Sequence, residues 1–197
     1  RLRTVTGVQT CALPIFPQIS VARLQVIHNA ADPAAASVDV YVNGNLTLDN
    51  FAFRTATPYI EIPASVMLNI GIAPPTSVSV NDTIKNFAVM LENGKTYIAV
   101  ANGVLNPASF AVNPDGASTA FTLFLQEGMR EAAANSGEVD FRAIHGATDA
   151  PTVDVIARSV ATLVDNAAYS NITGYISVPP ASYILDVTPS AGSPIVA

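Results

Sequence analysis

Arg23-Leu-Gln-Val-Ile-His28-Asn-Ala-Ala-Asp32 and Asp140-Phe-Arg-Ala-Ile-His145-Gly-Ala-Thr-Asp149 are two versions of one sequence, and reading them together decides the fold. Each continues into a valine-flanked aspartate, Ser37-Val-Asp39-Val-Tyr-Val42 in the first and Thr152-Val-Asp154-Val-Ile-Ala157 in the second. The histidines lie 117 positions apart and these aspartates 115, so the first version has two extra loop residues after Pro33. Leu48-Asp-Asn50 returns as Val164-Asp-Asn166, and Tyr59-Ile-Glu-Ile-Pro63 as Tyr175-Ile-Ser-Val-Pro179, both at an offset of 116. A period of that length is the size of a domain and far too long for a solenoid unit.

Both versions read as β-structure. Ala22, Leu24, Val26 and His28 fall on one face of an alternating stretch, and Val139, Phe141, Ala143 and His145 on the matching face of the other. Val38, Val40 and Val42 alternate with Asp39 and Tyr41, and Asn43-Gly44 then predicts a tight hairpin into Leu46-Thr-Leu48. Leu68 to Ile72 reads as a strand closed by Pro74-Pro75. Phe87–Leu91 and Thr96–Ala101 flank Glu92-Asn-Gly-Lys95 and predict a second hairpin, and Phe121–Leu125 reads as the last strand. Only Met129–Ala134 has the pattern of a helical turn. Short strands with turns every ~8–12 residues predict an all-β chain of antiparallel β-sandwich domains in tandem.

The boundaries follow from the repeat. Residues 17–128 form the first copy, an Ala/Asn/Ser/Gly-rich linker covers 129–137, and the second copy occupies 138–197. The second copy has no counterpart of Asn81 through Leu125, so it is expected to be incomplete. Ahead of the first copy, Val5-Thr-Gly-Val-Gln-Thr-Cys-Ala-Leu-Pro-Ile15 resembles the in-frame translation of a common short-read sequencing adapter, and a phenylalanine codon at 16 supplies the junction base. Residues 1–16 are therefore set aside as an artefact, as an expression scar would be.

Composition narrows the function. Of 197 residues, 50% are apolar and 12% charged, which is enough to bury a core and excludes wholesale disorder. No apolar run approaches the ~18 residues of a transmembrane helix, so no segment is expected to span a membrane that way. Nine Lys+Arg against fifteen Asp+Glu give a net charge of -6, the wrong sign for a nucleic-acid partner. The single cysteine, Cys11, can form neither an internal disulfide nor a multi-thiolate zinc site, and it lies in the set-aside segment.

An apolar strand ending in Ile-His, then x-Ala-x-Asp, a proline-bearing loop and Val-Asp-Val, resembles the bacterial family called domain of unknown function 4397. Asn93-Gly-Lys-Thr-Tyr97 is similar to the glycine-lysine-tyrosine strand start of that family. The resemblance covers residues 20–197 as one complete and one partial copy. It implies an Ig-like or prealbumin-like sandwich, often in tandem, in a secreted or envelope-attached bacterial protein. It carries no catalytic activity with it.

The chemistry-bearing residues are few. His28 with Asp32 and Asp39, and His145 with Asp149 and Asp154, recur in both copies, and imidazole plus carboxylates can bind a divalent ion or act as an acid/base pair. The structural reading is the expected one for both histidines: each ends a strand on its inward face, where a neutral ring can bond a loop backbone. Asp32 and Asp149 sit near prolines, as turn-forming aspartates do. A zinc site needs three or four protein ligands, and each copy offers one histidine and no cysteine. Calcium held by the loop carboxylates is the alternative. Asp39 and Asp154 alternate with core valines and are expected on an exposed strand face. No G-x-S-x-G, S-x-x-K or phosphate loop is present. Tyr41, Tyr59, Tyr97, Tyr169, Tyr175 and Tyr183 could stack on a sugar, but tyrosines on strands are expected to pack at sheet margins.

The resulting expectation is a non-catalytic extracellular or cell-envelope module with a structural or adhesive role, needing no cofactor. Its expected partners are a cell-surface polymer or neighbouring β-sandwich domains. The alternative is a glycan- or calcium-binding module accessory to an enzyme.

Overall fold

A computed structural model describes residues 19–190. The adapter-like residues 1–16, residues 17–18 and residues 191–197 lie outside the described residues.

The alternation that marks Val21 to His28 makes strand β1 (Val21–His28), with Ala22, Leu24 and His28 buried. β2 (Ser37–Val42) and β3 (Asn45–Ala52) form the expected hairpin. Its turn places Asn43 and Gly44 at φ of 50° and 84°, a pair of left-handed conformations that suits asparagine and glycine. The chain continues through β4 (Thr55–Ala56), β5 (Ile60–Pro63), β6 (Met67–Ala73), β7 (Lys85–Met90), β8 (Thr96–Asn102) and β9 (Thr122–Glu127). One sheet has the order β4-β1-β8-β9, with β5 also on β1, and the other the order β3-β2-β6-β7. They share two apolar clusters. One joins Leu24, Tyr97 and Ala99 to Leu68, and the other joins Ala101 and Phe121 to Val38, Val40, Ile70 and Ile72.

Three expectations are corrected. First, the strands flanking Glu92–Lys95 are not a hairpin: β7 pairs with β6, while β8 pairs with β1 and β9 in the opposite sheet. The turn is instead tied to β1, because Val21 N donates to Asn93 Oδ1 at 2.9 Å and Gly94 N donates to Val21 O at 2.8 Å. Fully buried Leu91 plugs the corner where the chain changes sheets. Second, the sheets are not wholly antiparallel. β1 and β8 run parallel in the register Arg23↔Thr96 through His28↔Ala101. The whole of β2–β7 serves as the long crossover that a parallel pair requires. Third, Met129–Ala134 forms no helical turn, and the short 3-10 turns lie at Pro33–Ala35, Val80–Asp82 and Pro107–Ser109.

The rest of the chain forms β10 (Val139–Phe141), β11 (Val153–Ala157), β12 (Ala161–Ala167), β13 (Ile176–Val178) and β14 (Leu185–Pro189), paired as β10-β13 and β12-β11-β14. Its details repeat those of β1–β6. Arg23↔Glu61 in β1-β5 matches Asp140↔Ser177 in β10-β13. The irregular step Val38↔Phe51, Val40↔Leu48 matches Val153↔Ala167, Val155↔Val164. Non-glycine residues with positive φ also recur at an offset of 116: Asn43 and Ser159, Asn50 and Asn166, Arg54 and Ser170. The apolar cluster here is small, with Val153, Val164 and Ala167 buried.

Candidate functional site

The two histidines stand at equivalent strand ends and make equivalent bonds. His28 Nε2 donates to Ala35 O at 2.8 Å, and Nδ1 faces Ala30 N at 3.4 Å. That arrangement fits the neutral Nε2–H tautomer, since a proton on Nδ1 would oppose the Ala30 N–H. Burial holds His28 below the ordinary imidazole pKa, only partly opposed by its bond to Ala35. His145 Nε2 meets Pro151 O at the same 2.8 Å. Each ring also packs edge-on against an aromatic ring, His28 against Phe53 and His145 against Tyr169.

The carboxylates are occupied in the same local way. Asp32 caps the turn after it by accepting from Ala34 N at 2.9 Å, and it accepts from Leu105 N at 2.8 Å with its other oxygen. Asp39 accepts from Asn50 N at 2.9 Å and from Ser77 Oγ at 2.5 Å. Asp154 accepts from Asn166 N at 2.7 Å. The expected exposure of Asp39 is wrong: it is 1% exposed, because its carboxylate pins the left-handed Asn50 bulge and the loop at Ser77. Burial pushes Asp39 upward in pKa, but the hydrogen bonds from Ser77 and Asn50 outweigh it and hold the group below its usual value. Asp149 is exposed. Among the described residues, no three His, Cys, Asp or Glu side chains converge as a metal ion would require. The arrangement is suited to fixing loops.

The tyrosines form no exposed aromatic platform. Tyr41, Tyr97 and Tyr169 are buried, and Tyr59, Tyr175 and Tyr183 are half-covered. Arg130 and Arg142 stack on the Tyr175 ring at 4.3 and 4.4 Å.

Sequence reasoning missed the seam where the two halves of the chain meet. Fully buried Asn102 bonds the Tyr169 hydroxyl at 3.0 Å and the Asn29 amide at 2.9 Å. Asn113 Nδ2 donates to Thr148 O and Ala150 O, both at 3.1 Å, and Asp115 Oδ2 accepts from Thr152 N at 2.6 Å. Adjacent residues of the 129–137 stretch hold one residue from each half: Glu131 pairs with Arg23, and Arg130 pairs with Asp140 at 2.7 Å. The signal lay in the differences between the matching stretches of sequence, Tyr169 for Phe53 and Gly146 for Asn29.

Between the halves lies a cleft of about 570 Å3. Asn29, Phe53 and Arg54 line one side, and Val153, Val155 and Val187 the other. Between the first pair of sheets, by contrast, only about 50 Å3 is open, and it is wholly apolar.

Fold and site together define an all-β protein whose polar residues serve its loops. The model of the family described as Domain of unknown function (DUF4397) matches residues 22–156, well over half the chain. The chain belongs to that family. The expected resemblance is thus right at the level of the family. No curated protein matches the chain.

Proposed function

We propose that this is a non-catalytic module of the cell envelope or extracellular space, with a structural or adhesive role. In this reading residues 17–128 are one complete Ig-like or prealbumin-like sandwich. Residues 138–197 are a second, incomplete copy, and 129–137 joins them. Supporting the second copy are details that recur about 116 residues apart: the Nε2 bonds of His28 and His145, the Asp39–Asn50 and Asp154–Asn166 bonds, and Val26 N and Ala143 N each donating to a threonine Oγ1 at 3.0 Å.

One observation carries the functional reading. Of the six groups that could do chemistry, His28, Asp32, Asp39 and His145 are buried, these four and Asp154 are bonded to backbone or to Ser77, and Asp149 is exposed. Their chemical capacity goes into holding loops in place, which is what a module displaying fixed loops needs. The glycan- or calcium-accessory reading has less support, because Tyr41, Tyr97 and Tyr169 are buried and the Asp32, Asp39 and Asp154 carboxylates are engaged.

Calorimetric titration with calcium chloride tests the choice. The expected result is no saturable heat and no rise in melting temperature. A stoichiometric heat that Asp39→Asn abolishes would favour the calcium-binding reading.

A further inference from the structure

The sequence holds three asparagine–glycine steps, Asn43-Gly44, Asn93-Gly94 and Asn102-Gly103. Glycine leaves its own backbone nitrogen uncrowded, so that nitrogen can close on the side-chain carbon of the asparagine before it. The tertiary structure sets the three steps apart.

Asn43 and Gly44 form the exposed tip of the β2–β3 hairpin. Asn43 Oδ1 accepts from Asn69 N at 2.9 Å, and Asn43 N donates to Asn69 O at 2.8 Å. The first of these bonds draws electron density from Cγ. It also places a backbone N–H where negative charge gathers when Cγ is attacked. Gly44 N has no acceptor among the described residues, and nothing lies within 4 Å of where a Cβ at 44 would stand. The carbon is polarised and the nitrogen is free to reach it.

Asn93 meets only the first condition. Its Oδ1 accepts from Val21 N at 2.9 Å, but Gly94 N donates to Val21 O at 2.8 Å and is tied to β1. Asn102 meets neither. It is 0% exposed, its side chain is bonded to Asn29 and Tyr169, and backbone of Thr119 and Ala120 walls in Gly103.

We propose that Asn43 is a spontaneous deamidation site. Gly44 N bonds to Asn43 Cγ, the Cγ–Nδ2 bond breaks, and the leaving NH2 with the Gly44 amide proton departs as ammonia. Water then opens the resulting succinimide ring at either carbonyl. One product is aspartate at 43, which keeps an oxygen for Asn69 N and adds a negative charge. The other is an isoaspartyl link, which lengthens the backbone by one carbon inside a two-residue turn and so disturbs the pairing of Val42 with Asn45.

The test incubates the full chain in heavy-oxygen water at mildly alkaline pH, with peptide mapping by mass spectrometry to follow the label. The peptide holding Asn43 should take up label about tenfold or more faster than the one holding Asn93, the ratio that one backbone hydrogen bond supplies. The peptide holding Asn102 should stay unlabelled while the chain is folded. In urea the three rates should converge, because the bonds that separate them are gone. Asn43→Ser should abolish labelling of that peptide and keep the fold, since the chain already carries serine with φ of 61° at 159, between β11 and β12. No label at Asn43, or labelling of Asn93 as fast as Asn43, overturns the site. Rate ratios that are the same in urea as in the folded chain overturn the account that bonding selects it.

Discussion

Tyr169 occupies the place that Phe53 holds 116 residues earlier, and its added hydroxyl is the atom that meets buried Asn102 across the seam. Both rings pack edge-on against the histidine of their own half, with centroids 6.3 and 6.0 Å apart. One oxygen therefore separates a ring that only packs from a ring that also joins two halves.

Tyr169→Phe should lower the cost of parting the two halves by about 1 kcal/mol, with the ring–ring contact kept. Asn102→Ala should cost more, about 1–3 kcal/mol, because it leaves the Tyr169 hydroxyl and the Asn29 amide unpaired. Thermal melts and exchange rates over Gly146–Thr152 check both. Equal stability of the three proteins would mean that the seam does not depend on this bond.

His28 makes stability depend on mild acid. Its folded pKa lies below the ordinary 6.5, from burial first, so in the window just under 6.5 the unfolded chain binds the additional proton. The contribution is complete above about pH 6.5 and is lost as pH falls toward the folded value. His28→Gln should flatten that slope and cost about 1–3 kcal/mol near neutrality through the altered bond to Ala35. Urea midpoints measured from pH 5 to 8 test the assignment, and an unchanged slope in the variant would assign it elsewhere.

Asp39 acts in a different window. Its folded pKa is held below 3.8, where the hydrogen bonds of Ser77 and Asn50 outweigh burial. Its contribution is therefore present above about 3.8 and disappears as pH falls through the folded value. Asp39→Ala should cost about 1–3 kcal/mol at neutral pH by releasing the Asn50 N–H and the Ser77 hydroxyl. The mild-acid slope of His28 should survive in this variant, so the two titrations can be told apart.

Leu91 tests the correction to the hairpin. Leu91→Ala should cost about 2–5 kcal/mol as a cavity at the crossing between sheets. Val139→Ala, at a residue 46% exposed, should stay within about 0.5 kcal/mol. A small effect at Leu91, measured by denaturant unfolding, would mean that the corner is loosely packed.

Much of the architecture was legible in the linear sequence because its signals are local. Period-two alternation places Ala22, Leu24 and His28 on one face of β1 whatever lies beyond the strand. Asn43-Gly44 selects its turn through backbone conformations that few other residues adopt. The likeness of residues 23–32 to 140–149 is also legible in the sequence, and it sets His28 beside His145, whose Nε2 atoms meet Ala35 O and Pro151 O at the same 2.8 Å. Glu92-Asn-Gly-Lys95 shows where that kind of reading stops. A turn specifies that the chain reverses, but not which sheet receives the next strand. That choice was made by Val21, whose backbone binds Asn93 and Gly94, and by the burial of Leu91. Asp39 looked exposed for the same reason: alternation predicts which way a side chain points, but only the approach of Ser77, 38 residues away, closes that side from water. The seam and its cleft were decided wholly by tertiary structure, because contacts such as Asn29 with Gly146 or Asn102 with Tyr169 join residues far apart in the chain.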